Sequence, residues 1–297
     1  MTTESESLRM RRRLTARLDE LPSLPTVVAR LMTLDPEAEG AFEELLSAIE
    51  SDPGLSARLL ARANSVHGGS MLPVTTLRHA LTRIGSQEAA DLVLALAVTS
   101  VFVPRDDWGK SLWRHAIQVA TAARELARRC ADDDVDPDEA YAAGLLHDIG
   151  RFVLFQEAPD RLRRIDEGGW DNPRDLLEEE RRICGLTHAE LGARACRHWG
   201  LPDSIAEIVL HHHERPRGPL EGQVAKLTAL IRLADLAMFP SVIPGTPGLK
   251  DAPDDVLRVK LQSRFPPFLR LDVTAIRGLL ADVETRSQRS VEALGLD

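Results

Sequence analysis

The segment Leu145-Leu146-His147-Asp148-Ile149-Gly150 sets an imidazole and a carboxylate side by side in an otherwise apolar stretch. On a helix the two side chains project about 100° apart, so both can reach one pocket. A carboxylate sunk among apolar groups is costly unless a cation or hydrogen-bond donors compensate it. A metal ion would do so; a buried His–Asp pair or a solvent-facing helix edge are the plainer alternatives. Further candidates stand elsewhere: His115 in Trp113-Arg114-His115-Ala116, His188 after a capping Thr187, the run His211-His212-His213, and Asp235 inside an apolar stretch. Each has a bland reading: a satisfied core histidine, surface histidines, an aspartate paired with an arginine. Recurrence on successive helices favours one shared site. Imidazoles with carboxylates suit Fe, Mn, Zn, Co or Ni better than calcium. A carboxylate can bridge two ions, which would place Asp148 between them, and paired ions suit hydrolysis of a phosphoanhydride or phosphodiester.

The elements that must position these residues read as helices. Leu8, Leu14, Leu18 and Leu21 share helical spacing up to Pro22; Val27, Val28, Leu31 and Leu34 form a second stripe and Phe42, Leu45, Leu46 and Ile49 a third. Ser51-Asp52-Pro53 starts another helix, which breaks near Asn64 before the polar His67-Gly68-Gly69-Ser70. Thr76 caps a helix ended by Gly85, and the next runs from Gln87 towards Val103. After Pro104 the pattern predicts helices over 108–129, 139–155, 173–183, 187–199, 202–213, 223–238, 254–265 and 274–294. Gly144 and Gly150 mark close packing or a bend. No repeat or glycine-rich phosphate loop interrupts this all-α pattern.

Composition agrees. Aromatics make up 4%, so the core rests on Leu, Ala, Val and Ile. The formal charge of −9 argues against a whole-chain nucleic-acid binder, although Arg9, Arg11, Arg12, Arg13 and Arg17 form a local basic cluster, read first as a solvated helix face. Cys130, Cys184 and Cys196 offer no thiolate metal site and suit a reducing cytoplasm. The opening MTTESESLRMRRRL lacks the apolar core of a secretion signal, and the apolar run 92–103 is too short to cross a bilayer. A cytoplasmic protein without membrane contact is the expectation.

The order of these motifs resembles the HDOD family of the HD superfamily. The matching segments are Leu21-Pro22-Ser23-Leu24-Pro25, Ile49-Glu50-Ser51-Asp52-Pro53-Gly54-Leu55, Leu77-Arg78-His79-Ala80-Leu81, Trp113-Arg114-His115, the His147-Asp148 segment, His188-Ala189-Glu190, Trp199-Gly200-Leu201-Pro202 and Ala234-Asp235. The resemblance spans about residues 15–240. It implies a multi-helix bundle with a basic extension (1–14), an N-terminal helical subdomain (15–105), an HD-like subdomain (106–240) and a proline-rich loop with C-terminal helices (241–297). By analogy His115, His147, Asp148 and Asp235 would hold one divalent transition-metal ion, and Asp148, His188, His212 and His213 the other. The pair His212-His213 is chosen over His211-His212 because Glu214 follows.

HDOD proteins are generally regarded as non-catalytic signalling modules. The resemblance therefore implies a regulatory module with a retained dinuclear site that acts on a protein partner in trans. The alternative is a metal-dependent phosphohydrolase acting on a nucleotide or cyclic dinucleotide. For it the family's phosphodiesterase branch, marked by Gly-Tyr-Pro after the paired histidines, is the reference; this chain has no tyrosine there, and Arg151 stands at that motif's lysine position. Asp148 and Arg151 are the candidate catalytic residues, Arg151 as a phosphate clamp or else a surface ion-pair residue. Oxidation at a mixed-valent di-iron site is a third reading.

Overall fold

The computed structural model describes residues 3–22, 28, 40–51, 53–65, 74–130, 135–170, 172–213, 222–239 and 249–296. Most of the Val27–Leu34 stripe, the cap at Asp52, His67–Ser70, the segment after the paired histidines and residues 240–248 lie outside that set. All regular structure among the described residues is helical. The chain divides into two compact units, residues 22–103 with 289–297, and residues 1–21 with 104–288.

In the unit built on residues 22–103, α2 (Ala41–Glu50), α3 (Pro53–Ser65), α4 (Leu77–Ile84) and α5 (Ser86–Val101) bury Leu45, Ile49, Leu59, Leu81 and Val93. Thr76 caps α4 by accepting from the His79 amide. Asn64 donates to the Leu60 and Val74 carbonyls and accepts from the Val74 amide, fixing the chain that leads into α4. No single described helix is long and apolar enough to cross a membrane; α4 and α5 together pass by length and composition but are bent by 110°.

The other unit holds α1 (Thr3–Asp19) and a series from α6 (Asp107–Ala127) through α7 (Pro137–Leu146), α8 (Ile149–Glu157), α9 (Pro159–Glu167), α10 (Pro173–Cys184), α11 (His188–His198), α12 (Asp203–His211) and α13 (Gly222–Met238) to α14 (Asp254–Lys260) and α15 (Val273–Leu294), whose last turns belong to the first-described unit. Helix α6 packs against α7 and α13, α8 against α11, and α11 against α12. Side chains of Asp106, Asp136, Asn172 and Thr187 cap α6, α7, α10 and α11, where polar residues precede each apolar run. Helix α1 buries Leu14 and Leu18 against this unit and leaves Arg9, Arg11, Arg12 and Arg13 exposed.

Three sequence expectations need correction. The helix expected over 139–155 is two helices, broken at His147-Asp148. Residues 254–265 form α14 and a separate 3-10 turn over Gln262–Arg264: the helix ends at Leu261 (φ −115°, ψ −63°), and the Arg264 guanidinium donates to the Val259 and Lys260 carbonyls. Helix α9 has no counterpart in the sequence reading. Its apolar face is only Leu162 and Ile165 among charged residues, too sparse to register as a stripe.

Candidate metal centre

The break between α7 and α8 decides where the central pair points. His147 ends α7, and Asp148 (φ −100°, ψ 17°) occupies the N-cap of α8 without capping it through its side chain. Its carboxylate is thereby free to face inward. Two glycines let the neighbouring helices close on this break. A Cβ on Gly144 would meet the Ala120 Cα of α6 at 2.7 Å, and one on Gly150 would lie 1.9 Å from the His188 carbonyl oxygen of α11. The close packing expected of both positions is present.

Around Asp148 the structure gathers His115 from α6, His147, His188 at the first position of α11, His212 and His213 at the end of α12, and Asp235 from α13. Asp148, His188, His212 and His213 form one group able to hold a metal ion, and His115, His147 and Asp148 a second; within each group the ligand atoms lie within 4.8 Å of one another. Asp235 links the two, with Oδ1 3.1 Å from His115 Nε2 and 3.9 Å from His147 Nε2, and Oδ2 3.8 Å from His213 Nδ1. It pairs with histidines, not with an arginine. His211 turns away towards Glu207, at 3.4 Å. Arg232 on α13 donates to the His211 and His212 carbonyls and so fixes the turn that carries the paired histidines.

The hydrogen bonds test whether these groups fit a metal. His147 Nδ1 donates to the Gly144 carbonyl, His212 Nδ1 to the Val209 carbonyl, and His188 Nδ1 to the Glu180 carboxylate. Each of these tautomers leaves Nε2 as a bare lone pair. The His188 and His212 Nε2 atoms stand 3.2 Å apart, with Asp148 Oδ1 3.2 Å and 3.7 Å from them. Asp148 Oδ1 and His147 Nε2 are buried with no hydrogen-bond partner. Acceptors packed this closely repel one another unless a cation lies between them. Neighbouring ligands about 2.0–2.1 Å from one ion are separated by roughly 3.0–3.4 Å; two of the three separations here are 3.2 Å and the third is 3.7 Å. The residues therefore fit transition-metal ions.

Electrostatics points the same way. Burial pushes His147 down to about 4, so its imidazole is neutral, as a ligand must be. Burial opposes the charge on Asp148, but His147, His188, His212 and Arg151 outweigh it and hold the carboxyl well below its usual range. Asp235 is likewise depressed: burial opposes ionisation, and the His115 hydrogen bond and the charges of His213, His115 and His147 prevail. His188 runs the other way: Glu180 and Asp148 overcome its burial and raise it, so a bound cation would have to displace a proton there. His213 is lowered chiefly by burial.

Sequence reading missed Glu180. Its side chain is fully buried and accepts from both the His188 amide and His188 Nδ1, each at 2.8 Å. Such a carboxylate fixes a ligand's tautomer and raises its basicity. A signal existed: on the amphipathic helix expected over 173–183, Glu180 shares the buried face with Leu176, Leu177, Ile183 and Cys184. Arg151 also differs from the surface alternative. It is buried, its Nη2 donates to Asp166 at 2.6 Å, and its guanidinium lies 3.9 Å from Asp148 and 3.7 Å from Glu180.

Comparison with known proteins gives this geometry its context. The HDOD domain family matches residues 21–215. An uncharacterized protein of Treponema pallidum is 26% identical over 214 residues, 69% of this chain and 40% of its own length. Ribonuclease Y of Thermus thermophilus is 29% identical over 110 residues, 37% of this chain and 14% of that protein. The chain thus spans well under half the length of these relatives. An HDOD domain protein of unknown function from Geobacter sulfurreducens has the same fold, with a TM-score of 0.71 at 22% identity over 98% of this chain and 99% of that one. A Shewanella amazonensis protein, provisionally named a phosphohydrolase, superposes with a TM-score of 0.68 at 24% identity, covering 95% and 97%. Together with the all-helical architecture and the His-Asp groups, the match over residues 21–215 shows that the chain belongs to the HDOD domain family.

Proposed function

We propose that this chain is an HDOD signalling module whose His-Asp centre holds two divalent transition-metal ions and receives a phosphate ester, with its output passed to a protein partner. His115, His147, Asp148 and Asp235 are assigned to one ion, and Asp148, His188, His212 and His213 to the other. The observation that carries the reading is the set of opposed acceptors, Asp148 Oδ1 and the Nε2 atoms of His188 and His212, all within 3.7 Å of one another with their donors committed elsewhere. Elemental analysis of untagged protein tests it. About two equivalents of metal, reduced by Asp148→Ala, are expected; none after reconstitution with Mn, Fe, Zn, Co and Ni would remove the reading.

A second reading, hydrolysis at the same centre, is favoured by its open side. His147, His188 and His212 side chains are wholly buried, whereas Asp148, Asp235 and His213 keep 12%, 13% and 10% exposure. Structural metal sites are closed and catalytic ones keep an accessible position. When bound, paired ions polarise a phosphoryl oxygen and generate hydroxide from water. The protein's own groups divide the remaining work. Asp148, held ionised, stands between both ligand groups. His188 cannot serve as a free base, because its Nδ1–H donates to Glu180 and its Nε2 faces the centre. We assign Arg151 an orienting role in place of a phosphate clamp, because Asp166, Asp148 and Glu180 already occupy its guanidinium. Turnover of an aryl phosphodiester, a nucleotide or a cyclic dinucleotide by metal-loaded protein, lost in Asp148→Ala, separates this reading from metal binding without chemistry.

A further inference from the structure

The accessible side of the centre continues along α13. From residue 231 to residue 239 the residues that are not buried are Arg232, Asp235, Leu236 and Phe239, one stripe at helical spacing. Arg232 holds the carbonyls of the paired histidines and Asp235 faces His115 and His213, so this stripe is a wall of the centre. Phe239 lies four residues beyond Asp235, about 6 Å along the helix. Its ring meets Trp170, with centroids 5.1 Å apart and planes tilted by 53°. Trp170 arrives from the opposite wall. It follows α9, whose Asp166 holds Arg151 beside Asp148, and Gly169 (φ 70°) turns the chain before it. Both aromatic residues are half-buried. Large aromatics are scarce in this chain, with seven Phe, four Trp and one Tyr. Two of them meet where segments leading from both walls converge.

We propose that Trp170 and Phe239 form a ring-binding platform at the edge of the centre, which selects phosphate esters carrying a nucleobase. The proposal rests on the phosphate-ester reading above and names the class of ester. A phosphate at the Asp148–Asp235 opening leaves a nucleotide's sugar to span the last turn of α13 and its base to stack on the exposed face of the aromatic pair. Stacking of a base on an aromatic side chain is sequence-tolerant and adds at least about five-fold to affinity. Adenosine and guanosine monophosphates should therefore both benefit, and ribose monophosphate should not.

Calorimetric titration of the metal-loaded protein with inorganic phosphate, ribose monophosphate and adenosine monophosphate tests this. Adenosine monophosphate should bind at least about five-fold tighter than ribose monophosphate. Trp170→Ala should erase that advantage and leave binding of the two ligands without a base, inorganic phosphate and ribose monophosphate, unchanged, and Trp170→Phe, which keeps a ring, should restore most of it. Should phosphate and ribose monophosphate bind while the base adds nothing, or Trp170→Ala leave the advantage intact, the platform is refuted and the phosphate-ester reading stands. Should none of the three bind, both fall. Retention of the base advantage in Trp170→Phe also guards against misfolding of the alanine variant, and its absence in both folded variants would point to packing alone.

Discussion

Gly150→Ala perturbs the contact that sets the centre's dimensions. The added methyl would sit 1.9 Å from the His188 carbonyl oxygen, 2.7 Å from its carbon and 2.8 Å from the Gly192 amide nitrogen. All three are backbone atoms of α11, so no side chain can swing aside. Because real Cβ contacts essentially never fall below 3.0 Å, α8 and α11 must part by about 1 Å or more, an overpacking strain of about 3 kcal/mol. In a unit of roughly 200 residues each kcal/mol moves Tm by about 2–4 °C, so a fall of about 6–12 °C is expected. The same separation carries His188 away from Asp148 Oδ1, now 3.2 Å from its Nε2. A misplacement of about 1 Å is enough to weaken a preorganised site by roughly 100-fold. Thermal denaturation followed by circular dichroism and competition against a chromophoric chelator measure the two effects. Gly278→Ala is the control: its methyl meets nothing within 4 Å, and α15 should gain about 0.5–1 kcal/mol from the better helix former. If Gly150→Ala kept wild-type Tm and wild-type metal affinity, the close α8–α11 approach would not be what positions His188.

Three further outcomes follow from particular contacts. Glu180→Gln removes the charge that fixes His188, so metal affinity should drop about 10–100-fold, read as loss of one of two bound equivalents in competition titrations. Thr187→Ala deletes the side-chain cap of α11, the half of the capping box in which Thr187 accepts from the Glu190 amide, which should cost about 1 kcal/mol in urea denaturation. Glu125 is lowered: burial opposes its charge, and Arg129, Arg286 and Arg128 overcome it. A depressed carboxylate stabilises the fold above its ordinary value of 4.5 and loses that contribution as pH falls through its lower folded value. Glu125→Gln should therefore be less stable than wild type at pH 7 and equal to it once the carboxyl is protonated; a difference that persists in acid would assign the loss to packing.

Sequence alone determined the helical class, most of the helices and the identity of the polar residues that meet. These features depend on neighbours a few positions apart: apolar stripes at helical spacing, Asp, Asn or Thr before a run, proline after one. The candidacy of His115, His147, Asp148 and Asp235 was legible because each interrupts an apolar pattern, where an uncompensated polar group is costly, and that of His188, His212 and His213 because histidines recur at the ends of successive helices. Tertiary structure decided what spacing cannot encode. The break at His147-Asp148, which frees the carboxylate from a helix surface, arises where α7 and α8 close on α6 and α11. Glu180 is not singled out by the sequence, and Arg151 stands open between a phosphate clamp and a surface ion pair, until α10 and α8 bury them beside His188 and Asp148. The meeting of Trp170 with Phe239 joins residues 69 positions apart in sequence. Such pairings are set by how whole helices pack, and the free energy that selects them is shared across many side chains, so no short window of sequence carries the signal.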